Sequence, residues 1–183
     1  TDLSFPHILG ADVAGTIAAV GAGVTGWHEG DRTILAPGYP IDPGDWDVRP
    51  ENMAPSFEVT GTHSWGGNAE YIRIPARFAL RDQTNLPPEQ VAAMPLVLMT
   101  AVHAVETLGE VRAGKKVLVS AGASGSGSIC IQVAKALGAQ VATTGGSPAK
   151  VDTAKSAGAD LVIQYNERNF SDAILDWTDG VGV

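Results

Sequence analysis

A small β-rich unit followed by an α/β unit with a parallel, doubly wound sheet is the fold class this sequence predicts. Three observations predict it. Residues 116–163 alternate short apolar runs with helical patterns in the order β-α-β-α-β. A glycine-rich turn joins the first of those runs to its helix. The first 85 residues, by contrast, carry no long helical period, only short β-like runs punctuated by glycine.

Within the first half, residues 13–20 read as one strand, and Gly30-Asp31 turns the chain into a second, Arg32-Thr33-Ile34-Leu35. Residues 69–74 give another run, ended by Pro75. Between them, residues 37–65 combine prolines, acidic residues, Trp46 and Trp65 into a long irregular loop; such loops are usually functional or mobile. Together these make a barrel-like all-β domain over residues 1–85, and Pro88 starts the helix that joins it to a second domain, residues 86–183. The apolar stretch 91–105 contains Pro95 and His103. It falls short of the ~20 residues that span a bilayer, so it reads as a core helix with His103 at a helix interface.

In the second half, Val117-Leu118-Val119 is apolar on both sides, as a strand covered by helices on both faces requires. The turn Gly122, Ala123, Ser124, Gly125, Ser126, Gly127 follows, and then a helix with Ile129, Cys130, Val133, Ala134 and Leu137 as its apolar stripe, ended by Gly138. A second strand, residues 140–143, leads to Gly145-Gly146. Ser147 and Pro148 supply an N-cap and an N1 proline for a helix running to Gly158. Leu161-Val162-Ile163 is the third strand, and Phe170, Ile174 and Trp177 share one face of a last helix. This is the mononucleotide-binding half of a doubly wound sheet, which normally continues into a second half. Thr1 is neither an initiator methionine nor the start of a signal peptide, and the pattern begins mid-run, so a chain truncated at both ends is the expectation.

The turn opens a helix N-terminus, whose free N–H groups and positive dipole end suit a pyrophosphate. Its match to G-x-G-x-x-G is imperfect, because Ser124 takes the middle glycine's place and Gly125 follows it. A plain strand-to-helix connection would explain an isolated match equally well. The β-α-β-α-β context favours a dinucleotide. At the end of the second strand an Asp or Glu would accept the ribose hydroxyls of NAD, and this chain has none there. Gly145, Gly146 and Ser147 leave a small uncharged pocket, with Lys150 one helical turn from Ser147. Lys150 reads either as a partner for a 2′-phosphate or as an ordinary solvated lysine; the absent acid points to NADP(H).

Composition narrows the remaining classes. A net charge of −8, with the 12 Lys and Arg scattered, offers no basic stripe for a nucleic acid. The single cysteine, Cys130, excludes an intrachain disulfide and fits a reducing, cytoplasmic setting, most simply as a small apolar filler. His7, His28, His63 and His103 share no metal-ligand spacing.

Several strings follow one another in an order that resembles the medium-chain dehydrogenases/reductases, the superfamily of zinc alcohol dehydrogenases and quinone oxidoreductases. They are Ile8-Leu9-Gly10-Ala11-Asp12-Val13-Ala14-Gly15, Val20-Gly21-Ala22-Gly23-Val24, Gly30-Asp31-Arg32, Gly66-Gly67-Asn68-Ala69-Glu70-Tyr71 and Leu98-Met99-Thr100-Ala101. The resemblance implies a GroES-like β domain followed by a Rossmann domain, with substrate and nicotinamide meeting between them. It also implies phosphates over Ala123 to Gly127, a 2′-phosphate near Gly146, Ser147 and Lys150, Tyr165 packing near the adenosine end, and Thr100 near the nicotinamide end. A homodimer through edge strands of the cofactor domain is common in such proteins, and the strands that would form it lie beyond Val183.

Zinc is where this chain departs from the zinc-dependent branch. The catalytic His of that branch corresponds to Ala11 and an upstream Cys ligand to about Leu96, and neither side chain can coordinate a metal. A further Cys ligand falls outside this chain. The four-cysteine structural lobe corresponds to residues 37–65, which have no cysteine; Asp42, Asp45 and Asp47 there read as a solvated acidic loop. Without a Lewis acid to lower a hydroxyl pKa, oxidation of simple alcohols is hard. The leading expectation is therefore hydride transfer from NADPH to a quinone or an α,β-unsaturated carbonyl, a small-molecule acceptor. Catalytic candidates are few: Asp12, which stands beside the Ala11 position and could equally hold a loop through a salt bridge, and Thr100. The alternatives are a zinc-type alcohol or aldehyde dehydrogenase, and a non-catalytic NADPH-binding module or inactive fragment.

Overall fold

The computed structural model describes residues 5–183; Thr1, on which the reading of the chain start rests, lies outside them. The chain divides into two compact units, Thr1–Leu96 and Val97–Val183.

In the first unit, the elements in chain order are β1 (Ala14–Thr16), β2 (Arg32–Leu35), β3 (Gly38–Pro40), β4 (Phe57–Val59), β5 (Ala79–Arg81) and α1 (Pro88–Ala92). β1, β2 and β5 pair antiparallel in that spatial order, and β3 pairs antiparallel with β4. The unit is β-rich as expected, but its strands form two short separate sheets rather than a closed barrel. Arg32 and Asp82 pair across the β2/β5 end, where Asp82 also accepts from the Thr84 N–H at 2.8 Å and Thr84 Oγ1 at 2.6 Å.

Three expectations for this unit are corrected. The strand of residues 13–20 is only Ala14–Thr16, although Ile17 N–H still reaches Asp31 O at 2.9 Å and accepts back from Gly30 N–H at 2.8 Å. Glycines at 21 and 23 then take the chain into a loop. Residues 69–74 form no strand, because no strand among the described residues offers them a ladder; an extended run becomes a strand only when a partner takes its N–H and C=O groups. The segment 37–65 is not irregular throughout. It holds the β3/β4 pair and a small aromatic core, in which Tyr39 stacks on Phe78 (centroids 4.8 Å apart) and Trp46 meets Phe78 edge-on at 5.8 Å.

The joining helix also differs from expectation. α1 stops at Ala92, α2 (Pro95–Val102) begins afresh at the proline, and a π-helical turn covers His103–Leu108. Pro95 cannot donate its nitrogen to the preceding turn, which breaks the run. Val91, Ala101 and Val105 are buried, but Leu96, Leu98, Met99, Val102 and His103 are exposed, so only one side of this stretch belongs to a core. No helix among the described residues is long and apolar enough to cross a membrane.

The second unit continues with β6 (Lys116–Val119), α3 (Gly125–Ala136), β7 (Gln140–Gly145), α4 (Pro148–Ser156), β8 (Leu161–Gln164) and α5 (Phe170–Trp177). The three strands are parallel in the order β6-β7-β8, with Val117 opposite Val141 and Thr143 opposite Val162. Parallel neighbours need a crossover, and α3 and α4 supply it. Successive residues of β7 point to opposite faces. Val141 thus joins Ile131 and Ala134 of α3 on one side, while Ala142 joins Ile163, Ala173 and Ile174 on the other.

The face of α3 is turned from the expected stripe. Ile131 and Ala134 are fully buried, and Cys130, Val133 and Leu137 only partly so. Burying Ile131 alone is worth about 1.5–3 kcal/mol. On α5, Ile174 is buried and Trp177 packs against the core, but Phe170 is exposed; Ala173 takes its place. Gly138 and Gly158 sit just past α3 and α4 in the left-handed region (φ +82° and +103°), where a side chain is strained.

Candidate functional site

Adjacent parallel strands bring two turns to the same end of the sheet. β6 leaves through Ser120 to Ser124 into α3, and β7 leaves through Gly146 and Ser147 into α4.

The first turn is tied to β7 by two threonines. Thr143, fully buried, donates from Oγ1 to Val119 O at 2.5 Å. Thr144 Oγ1 accepts from Ala121 N–H at 3.1 Å, and its carbonyl accepts from Gly122 N–H at 3.3 Å. Ala121 is held at φ +53°, a conformation that L-residues adopt at a cost of about 1–3 kcal/mol. Two glycines are required by space. A Cβ on Gly122 would lie 2.2 Å from Thr143 Oγ1, and one on Gly127 would lie 2.3 Å from Ala121 O. Gly125 is different, since a Cβ there meets nothing within 4 Å.

Ser124 caps α3, accepting from Gly127 N–H at 3.0 Å. Gly125 and Ser126 then occupy N1 and N2, where N–H groups have no acceptor inside the helix. Both residues are exposed, as is Ser124. Open space above bare N–H groups at the positive end of a twelve-residue helix is a cradle for a pyrophosphate. The residues present fit the dinucleotide that the sequence implies.

The second turn is small and uncharged. Ser147 occupies the N-cap position of α4 in an extended conformation (φ −157°), yet its side chain makes no capping bond, contrary to expectation. The Pro148 nitrogen has no hydrogen to offer it. Lys150 is exposed, with no ion pair among the described residues. Tyr165, just after β8 and 53% exposed, lays its phenol against Gly146. Asn166 Nδ2 donates to Gly146 O at 3.0 Å.

The two catalytic candidates fall in different compact units. Asp12 Oδ1 accepts from Leu96 N–H at 2.7 Å, capping the first turn of α2. It therefore holds a loop, through a backbone N–H rather than a salt bridge. Thr100 is exposed on α2. The acidic residues of 37–65 have structural partners: Asp42 Oδ1 accepts from Gly44 N–H at 2.8 Å, Asp45 Oδ2 from Ser56 N–H at 3.0 Å, and Asp47 pairs with Arg77 at 3.4 Å. Among the described residues no group of three or more His, Cys, Asp or Glu side chains is placed to hold a metal ion. At the positions corresponding to catalytic zinc ligands, Ala11 has no donor atom and Leu96 presents only its backbone N–H, taken by Asp12. These residues do not fit a catalytic zinc.

Sequence reasoning missed Thr143, Thr144 and Asn166. The two threonines carried a signal, because polar groups in a buried strand need partners. Asn166 carried none, since its bond to Gly146 spans 20 residues without a pattern.

Comparison with known proteins bears on the whole chain. Residues 1–88 match the alcohol dehydrogenase GroES-like domain, and residues 125–183 match the zinc-binding dehydrogenase domain. A 2-methylene-furan-3-one reductase of Solanum lycopersicum is 35% identical over 94% of this chain. An NADPH-dependent alkenal/one oxidoreductase of Arabidopsis thaliana, a chloroplastic protein, is 32% identical over 94%. The chain spans 40% of the length of each of these two relatives. A crystal structure of an NAD-dependent alcohol dehydrogenase is 36% identical and superposes with a TM-score of 0.90, over 99% of this chain and 53% of that one. With a GroES-like match in the first unit, a dehydrogenase match over the glycine-rich helix onward, and an oxidoreductase fold along nearly its full length, the chain belongs to the medium-chain dehydrogenase/reductase superfamily.

Proposed function

We propose that this protein transfers a hydride from NADPH to a quinone or to the alkene of an α,β-unsaturated carbonyl, without zinc. The observation that carries the cofactor choice is the turn after β7, where Gly145, Gly146 and Ser147 offer no carboxylate and Lys150 stands unpaired one turn into α4. The names of the two relatives, a furanone reductase and an NADPH-dependent alkenal/one oxidoreductase, support the acceptor class.

Bound there, NADPH supplies the hydride. Gly125 and Ser126 N–H groups hold its pyrophosphate at the α3 N-terminus, where the helix dipole adds roughly half a positive charge. Ser147 Oγ and Lys150 Nζ take the 2′-phosphate, and the Tyr165 ring closes the adenosine side. No side chain at the site is arranged as a proton donor, so the proton that completes the reduction comes from water.

A zinc-type alcohol dehydrogenase is the second reading, favoured by the 0.90 TM-score to the NAD-dependent enzyme. Ala11 and Leu96 weigh against it. Calorimetric titration with NADPH and NADH, followed by a panel of quinones and enones read by NADPH consumption, separates the readings. NADPH bound at least about tenfold tighter, a 1.4 kcal/mol preference, with turnover of some acceptor, is the expected result. Alcohol-dependent reduction of NAD with one zinc per chain would overturn it in favour of the second reading; tight NADPH binding with no turnover would leave a binding module.

A further inference from the structure

Gly146 is a glycine for want of space, and the space is taken by a side chain. Its φ lies outside the left-handed region, so backbone freedom does not require it. A Cβ built there would lie 2.2 Å from Tyr165 Oη and 2.7 Å from Tyr165 Cζ. At Gly145, one residue earlier, a Cβ would meet only ordinary contacts, the nearest at 3.6 Å to Val151. Asn166 fastens the same turn from the other side, through Gly146 O. The phenol is the far end of an exposed side chain, so a larger residue at 146 displaces it rather than breaking a core.

We propose that Tyr165 sets cofactor selectivity through Gly146. Its phenol occupies the room that an acidic side chain would need to reach the adenosine ribose hydroxyls of NAD, so the turn stays uncharged and open to a 2′-phosphate. Conversion to NAD therefore requires both positions to change. The inference rests on the dinucleotide reading of the site given above.

The test uses the whole chain and three variants, Gly146→Asp, Tyr165→Ala and the double variant, each titrated with NADPH and NADH by calorimetry. In parallel, ring-labelled tyrosine NMR follows Tyr165. The chain has three tyrosines, so the Tyr165 signals are identified by their loss in the Tyr165→Ala variant. In Gly146→Asp the Tyr165 ring signals move while those of Tyr39 and Tyr71 stay, NADPH binding weakens, and NADH binding improves by less than about twofold. In the double variant NADH binds on the order of tenfold tighter than in Gly146→Asp, as a new carboxylate–hydroxyl contact supplies. Two results would overturn the inference while leaving the dinucleotide reading intact: Gly146→Asp binding NADH as well as the double variant does, or unmoved Tyr165 signals in Gly146→Asp. If the wild-type chain binds neither dinucleotide, the reading of the site fails and the selectivity role falls with it. Moved Tyr165 signals would then record only that the two residues pack together.

Discussion

Gly122 and Gly125 stand three residues apart in one turn and answer to different constraints. Around Gly122 the space is filled by Thr143 Oγ1 and Ile131 Cδ1, which would lie 2.2 and 2.7 Å from an added Cβ. Both side chains are fully buried, so neither can give way. Gly122→Ala is expected to destabilise the protein by about 1–3 kcal/mol, the usual cost of overpacking. Gly125 faces open space, and alanine at a helix start is tolerated there to within about 1 kcal/mol. Its added methyl instead stands where a pyrophosphate must approach, so Gly125→Ala keeps its urea midpoint and loses NADPH affinity. Equal midpoints for the two variants would refute the division, as would unchanged NADPH binding by Gly125→Ala. The sequence shows both glycines as members of one motif. Which of them serves packing and which serves a ligand depends on Thr143, a residue 21 positions away that the motif does not contain.

Among the elements, Asp160 fastens α3, β7 and the approach to β8 at the end of the sheet away from the glycine-rich turn. Its carboxylate accepts from Lys135 Nζ at 2.8 Å to each oxygen and from Val141 N–H at 2.6 Å. Burial pushes its pKa up, but the Lys135 bond and the Val141 N–H together outweigh this and hold it below the ordinary 3.8. A carboxyl depressed in the folded state contributes stability that is present above its unfolded value and lost as pH falls through the folded one. With its side chain 38% exposed, solvent screens the pair, so the contribution at neutral pH is under about 1 kcal/mol. Asp160→Asn should therefore cost little near neutrality and flatten the decline of the urea midpoint below about pH 4. Parallel pH profiles for wild type and variant would remove Asp160 from the acid response. Elements of this half were legible because their signals are local: an apolar run, a capping serine, a glycine past each helix. The phase of α3 was less so, since Ile129 and Ile131 are equally apolar and only the sheet beneath decides that Ile131 is the one enclosed. In the β-rich half, residues 69–74 look like a strand, but strand pairing is a property of two segments, and one of them cannot announce it.

At the scale of the molecule, the order of the two units was legible from the change of period near residue 85, whereas the closure of the first into a barrel was not. Each unit has its own buried set: Leu35, Tyr39 and Phe78 in the first, Ile131, Val141 and Ile163 in the second. A ligand that binds only the folded second unit stabilises it by mass action, about 2.7 kcal/mol at a free concentration one hundred times Kd. That free energy slows hydrogen exchange only for amides whose exposure requires the second unit to open, by up to about a hundredfold. Saturation with NADPH is thus expected to protect residues 97–183, most strongly at 119–128 and 144–147. Amides of β2 and β5 should exchange at their ligand-free rates. Protection spreading equally into β2 and β5 would mean that the two units open as one. No change at 119–128 would remove the dinucleotide from the α3 N-terminus, whatever the rest of the chain did, because those N–H groups are the ones a bound pyrophosphate must cover.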